Sequence, residues 1–136
     1  MPPSDSFNIR DEREPLIWIP LPIFTQYRPV LGRTAIDVYT QLLTICNTSL
    51  TTITVDLFND FAKSCDLDVP DLIRYLSLLR CASLVHFALQ NDLWLISLID
   101  VYDLDPQNLE ANLYIDMPGD ELIPMVLDRL QQQGAR

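Results

Sequence analysis

One stretch, from Thr54 to Ile99, limits the possible folds more than any other part of this chain. It reads TVDLFNDFAKSCDLDVPDLIRYLSLLRCASLVHFALQNDLWLISLI. Thr54 is a good helix N-cap, Asp56 lies in the favourable first turn, and Leu57, Phe58, Phe61 and Ala62 recur at helical spacing. This helix is expected to stop near Cys65. Asp66-Leu67-Asp68 then forms a tight turn with Leu67 returned to the core. Asp68 caps a second helix that has Pro70 in its first turn, where the missing N–H is harmless, and Asp71 at the third position. Val69, Leu72, Leu76 and Leu79 give that helix an apolar face, and it ends by Ala82. After Ser83 the periodicity changes. Leu84 to Leu89 reads as a strand, Gln90-Asn91-Asp92 as a turn, and Leu93 to Ile99 as the returning strand.

Helix, tight turn, helix and hairpin in this order are the plan of a winged helix-turn-helix, and the flanks extend it. Residues 1–15 read as a polar tail. Next comes PLIWIPLPIF, in which Ile17, Ile19, Leu21 and Ile23 alternate. Pro20 and Pro22 confine this piece to a sheet edge or an extended arm. A helix capped by Thr34 is expected to run to Cys46, and Leu50 to Ile53 to form a short strand. Asp100 to Asp105 reads as an acidic linker, and Pro106 opens a short helix carrying Leu109 and Leu113. After Met117-Pro118-Gly119, an amphipathic helix is expected from Glu121 to Gln132. The fold class is therefore α+β, a three-helix core with a β-hairpin wing, over residues 16–104, with a C-terminal helical extension over 105–136.

The charge balance bears directly on function. Nine Lys and Arg against 19 Asp and Glu give a net charge of -10. Nucleic-acid binding draws most of its affinity from cations that neutralise phosphates, so this acidity argues against non-specific DNA binding. No apolar run is long enough to span a bilayer and no signal peptide is evident, so a soluble cytoplasmic protein is expected. Cys46, Cys65 and Cys81 read as buried free thiols. A zinc site made from them with His86 has no close C-x-x-C pair behind it. Asp66, Asp68 and Asp71 lack the Gly and distal Glu of an EF-hand loop. No phosphate loop, nucleophile elbow or H-E-x-x-H pattern is present. Neither an enzyme nor a cofactor is expected.

In a DNA-reading helix the outward side chains bond base edges. Here the outward positions are read as Asp68, Pro70, Asp71, Ile73, Arg74, Ser77, Leu78 and Cys81, of which only Arg74 is an obvious reader. Ile73 and Leu78 make the same face apolar, so something covers it: the C-terminal helix, another protein or a second copy. The interface candidates are Ile17, Trp18, Ile19, Ile73, Leu78, Leu122, Val126 and Leu130. If the helix reads DNA instead, Lys63, Arg74, Ser77 and Arg80 are the contact candidates. Tyr75 reads as a core-edge ring or an interface residue, and Trp94 as core.

The segment from about Leu16 to Leu104 resembles the N-terminal winged-helix domain of the DnaD family of bacterial replication-initiation proteins. The likeness lies in the I-P-x-P arm, the leucine-paired first helix, the TVDLFNDFAKSCDLDVPDLIRYLSLL unit and SLVHF entering the hairpin. Ser83 stands where Gly often precedes the Leu-Val strand. Acidic winged-helix subunits of condensin-like complexes are a second similar group. The resemblance implies self-association and protein partners in DNA replication. The expected function is thus a non-enzymatic, homodimeric winged-helix interaction module attached to DNA replication or maintenance. The alternatives are a sequence-specific DNA-binding regulator and an acidic DNA mimic.

Overall fold

A computed structural model describes residues 19–46 and 50–134. Among these, six α-helices and one three-stranded antiparallel sheet form an α+β structure. The first helix begins with a π-helical turn, Ile23–Tyr27, and continues as α1, Arg28–Leu31. Next come α2 (Arg33–Leu42), β1 (Thr51–Thr54), α3 (Val55–Ser64) and α4 (Val69–Cys81). The hairpin strands are β2 (Val85–Gln90) and β3 (Leu93–Leu98), and the chain continues into α5 (Pro106–Asp116) and α6 (Leu122–Gly134). The strand order is β1-β3-β2.

The extended arm is the main correction. From Ile23 the chain is helical, because Pro20 and Pro22 precede or begin the helix, where no intrahelical N–H is missed. The π turn has its own cause. Arg28 N–H reaches back to the Ile23 carbonyl. That widened turn leaves room for the ring of Pro29, which would otherwise press on the carbonyl four residues earlier. Ile17 and Trp18, like the 1–15 tail, lie outside the described residues. A second correction concerns α2, whose N-cap is Gly32 and not Thr34. Gly32 has φ 93°, a backbone conformation that favours glycine, whereas a side chain there would meet only the flexible end of Arg129, Nη1 at 2.6 Å.

The helix pair from α3 to α4 is built as its residues dictate. Thr54 Oγ1 accepts the Leu57 N–H and Asp68 Oδ1 accepts the Asp71 N–H, each cap contributing about 1 kcal/mol. Both helices end in the same left-handed device. Asp66 (φ 58°) and Ser83 (φ 62°) occupy the position usually given to glycine. Leu67 and Leu84 then donate back to the carbonyls of Ala62 and Leu79, five residues earlier. Leu84 is fully buried, and Leu67 packs against the core. Each leucine thus anchors the chain as it leaves its helix.

Asn91 and Asp92 (φ 53° and 62°) make the two-residue turn that joins β2 to β3. The register pairs Gln90 with Leu93 and Val85 with Leu98, while β1 pairs Ile53 with Trp94. Trp94, Ile96 and Leu98 face inward. Phe58 of α3 stacks on Trp94 with ring centroids 4.1 Å apart. One cluster of buried side chains runs from Ile23 to Val126. It takes in Leu109 and Leu113 of α5 and Leu122 and Val126 of α6. Leu57, expected to face inward, is instead 55% exposed. No helix among the described residues is long and apolar enough to cross a membrane.

Candidate functional site

The site to test is the far side of α4, where a DNA-reading helix would carry its contacts. The structure packs α5 and the start of α6 there. Leu78 and Cys81, both expected to point outward, are 0% exposed. The cover is held by polar bonds as well as by packing. Asn112 Nδ2 donates to the Cys81 carbonyl at 3.0 Å, and Cys81 Sγ lies 3.5 Å from the Asn112 carbonyl. Burial first, then Asp116, pushes the Cys81 thiol up to about 11, so it stays protonated and unreactive near neutral pH. Burial also raises Cys46 and Cys65.

Arg74 is the one obvious base reader, and it is already engaged. Its Nε donates to Asp120 Oδ2 at 3.1 Å and its Nη2 to Asp120 Oδ1 at 2.8 Å. This is the two-pronged geometry that makes arginine–carboxylate pairs strong. Asp71 and Glu121 add negative charge at 3.6 Å. Asp120 has a second duty, since its Oδ1 accepts the Leu122 N–H at the start of α6. The hydrogen bonds from Arg74 hold the Asp120 carboxyl below its ordinary value of 3.8, against the opposing effect of burial. A carboxyl depressed on folding lends stability above its unfolded pKa and loses it as pH falls through the folded one. Asp120→Asn is accordingly expected to lower stability by about 2 kcal/mol at pH 7. The loss should shrink as pH drops below about 4. Urea denaturation at several pH values measures both, and a constant difference between pH 7 and pH 3 would contradict the pairing.

The other DNA-contact candidates are dispersed. Arg80 has its guanidinium 4.5 Å over the Phe87 ring, with Nε 3.7 Å from Asp116. Ser77 is half-buried, and Lys63 is exposed on α3. Of the interface candidates, Leu78, Leu122 and Val126 belong to the interior of their own chain. Ile19, Ile73 and Leu130 are partly buried against the same core. The first and last helices of the described residues therefore pack within their own chain. Tyr75 also packs against the core.

Among the described residues no three His, Cys, Asp or Glu side chains come close enough to share a metal ion. His86 is exposed, whereas Cys46 and Cys81 are buried. A cleft of about 110 Å³ lies between Tyr27, Ser83, Asp100 and Asn108. Its thiol, Cys81, is the protonated one described above. Its lining also holds Ser83 and the carboxylates of Asp100, Asp103 and Asp105.

Sequence reasoning missed Asn112, Asp116 and Asp120, which tie the extension to α4. Asp120 was visible only as a polar residue after a Pro-Gly break; its reach to Arg74 spans 46 residues. The lack of charge that the wing shows in the sequence extends to the whole sheet. TTIT, VHFALQ and LWLISL contain no Asp, Glu, Lys or Arg, although the chain carries 28 such residues. The outer face is formed by the pairs His86·Ser97, Ala88·Leu95 and Gln90·Leu93, with Thr52 and Thr54 of β1. It is uncharged and largely exposed.

Comparison with family models, with curated proteins and with solved structures finds no match for this chain. The functional reading therefore stands on the residues and their geometry.

Proposed function

We propose that this chain is a cytoplasmic, non-enzymatic winged-helix protein–protein interaction module serving DNA replication or maintenance. The element order from α2 to β3 and the strand order β1-β3-β2 support the winged-helix reading. The link to replication comes from the resemblance to DnaD-family N-terminal domains. One observation carries the preference for protein contacts: the forked pair between Arg74 and Asp120, which closes α4 beneath the chain's own C-terminal extension. A DNA-binding reading requires Arg74 and Arg80 to leave their carboxylates and α5 to leave Leu78. It also requires a surface of charge -10 to approach phosphates.

Because the first and last helices are occupied within the chain, partner contacts fall to the uncharged sheet. Self-association through Leu122 and Val126 is not part of this reading. The test is fluorescence anisotropy with duplex DNA across a salt series. Binding no tighter than about 1 μM at physiological salt is expected. Nanomolar affinity that falls steeply with salt would overturn the proposal.

A further inference from the structure

The outer edge of β2 presents an open row of backbone donors and acceptors. Its two-residue turn makes Gln90 and Leu93 the first hydrogen-bonded pair of the hairpin. Alternation along an antiparallel ladder then commits Ala88 and His86 to β3. The N–H and C=O groups of Phe87 and Leu89 point the other way. Among the described residues nothing bonds to those four groups.

Soluble proteins guard such an edge with a lysine, a proline, a bulge or a covering element. The strand VHFALQ has none of the first three; it pairs residue for residue with β3 over its whole length. His86, Ala88, Leu89 and Gln90 are all exposed, Leu89 by 53%. Among the described residues the edge is thus both accessible and unprotected.

The charges around it indicate what fits. Asp92 stands at the hairpin tip. At the other end, the Ile99 N–H donates to the Leu84 carbonyl, so the exposed Asp100 follows β3 on the paired side of the start of β2. The nearby cation, Arg80, is already matched by Asp116. An uncharged strand is therefore framed by carboxylates at both ends.

We propose that β2 receives an extended segment of a basic partner protein, which adds a fourth strand to the sheet. Alternate apolar side chains of the segment lie beside Phe87 and Leu89. Lys or Arg residues roughly seven positions apart reach Asp92 and Asp100, a spacing set by the rise of an extended strand. A second copy of this chain is the poorer occupant, since it brings another charge of -10 and another carboxylate frame to the same edge. The inference rests on the protein-interaction reading above and specifies the chemistry of the partner.

The test titrates the full chain with the peptide Lys-Arg-Val-Thr-Val-Thr-Val-Lys-Arg, following amide exchange and chemical shifts by NMR. In the free protein the Phe87 and Leu89 amides should exchange fast and those of His86 and Ala88 slowly. Peptide is expected to slow Phe87 and Leu89 by about tenfold or more, while a glutamate-flanked counterpart binds at least about tenfold more weakly. Leu89→Pro removes only an outward N–H and should abolish binding while the rest of the ladder persists. Leu89→Lys, at an exposed position, should weaken the basic peptide without disturbing the fold.

Equal binding by Leu89→Pro or by the acidic-flanked peptide would overturn the proposal, as would no binding up to about 1 mM. A dimer in sedimentation that Leu89→Pro dissolves would overturn it in favour of a second copy. Duplex DNA is assayed separately and engages other residues, so failure of the peptide and failure of the interaction reading are distinguishable.

Discussion

Leu78→Ala is expected to destabilise the protein by about 3 kcal/mol, within the range of 2–5 for a buried leucine. The side chain is 0% exposed although it lies on the side of α4 that a DNA-reading helix leaves open. Truncation leaves a void under α5 that the helix can close only by shifting. That shift would strain the Asn112–Cys81 bonds and the Arg80–Asp116 pair. Urea denaturation gives the size of the effect. A change below about 1 kcal/mol would mean that α4 is not covered, because surface truncations rarely exceed that. It would also weaken the protein-interaction reading, which needs α4 closed beneath the extension that Arg74 and Asp120 pin.

Phe58→Ala should cost about 4 kcal/mol, the sum of a fully buried aromatic and its stack on Trp94. Phe58 is the point at which α3 meets the hairpin, and the rings lie nearly parallel, 14° apart. Without Phe58, water reaches the indole of Trp94, which is 8% exposed in the intact protein. A red shift of tryptophan emission, measured with Trp18→Phe as background, reports this independently of the loss of stability. Unchanged emission would contradict the stacking.

Much of the centre of the fold was legible because local chemistry decided it. Thr54 and Asp68 cap their helices, Pro70 sits in a first turn, and Asn91-Asp92 turns the hairpin. All of these act within a few residues. Where the reading failed, distant residues decided. PLIWIPLPIF alternates like a strand, yet prolines suit the start of a helix as well as they suit an edge. The choice fell to the buried partners of Ile23 and Tyr27. Leu78 was placed outside because Leu72, Leu76 and Leu79 already gave α4 an inward face. Only the arrival of α5, more than 20 residues later, makes α4 apolar on two sides for a reason internal to the chain. Asp120 was unreadable as a partner of Arg74 because no local pattern announces a pair that spans a whole hairpin and a helix.

The way α1 is held has a kinetic consequence. Tyr27 bonds to the carbonyl of Tyr102, 75 residues onward, and Arg129 reaches the Val30 carbonyl across 99. Gln26 meets Asp103 and Leu104. The first helix therefore depends on partners that lie far along the chain as well as on its neighbour α2. The β1-to-β3 unit has its caps, turn and stacked rings within about 45 residues of one another. Contacts that close such long loops form slowly. Docking of α6 on α1 is accordingly expected to be slower than closing of the β2–β3 hairpin.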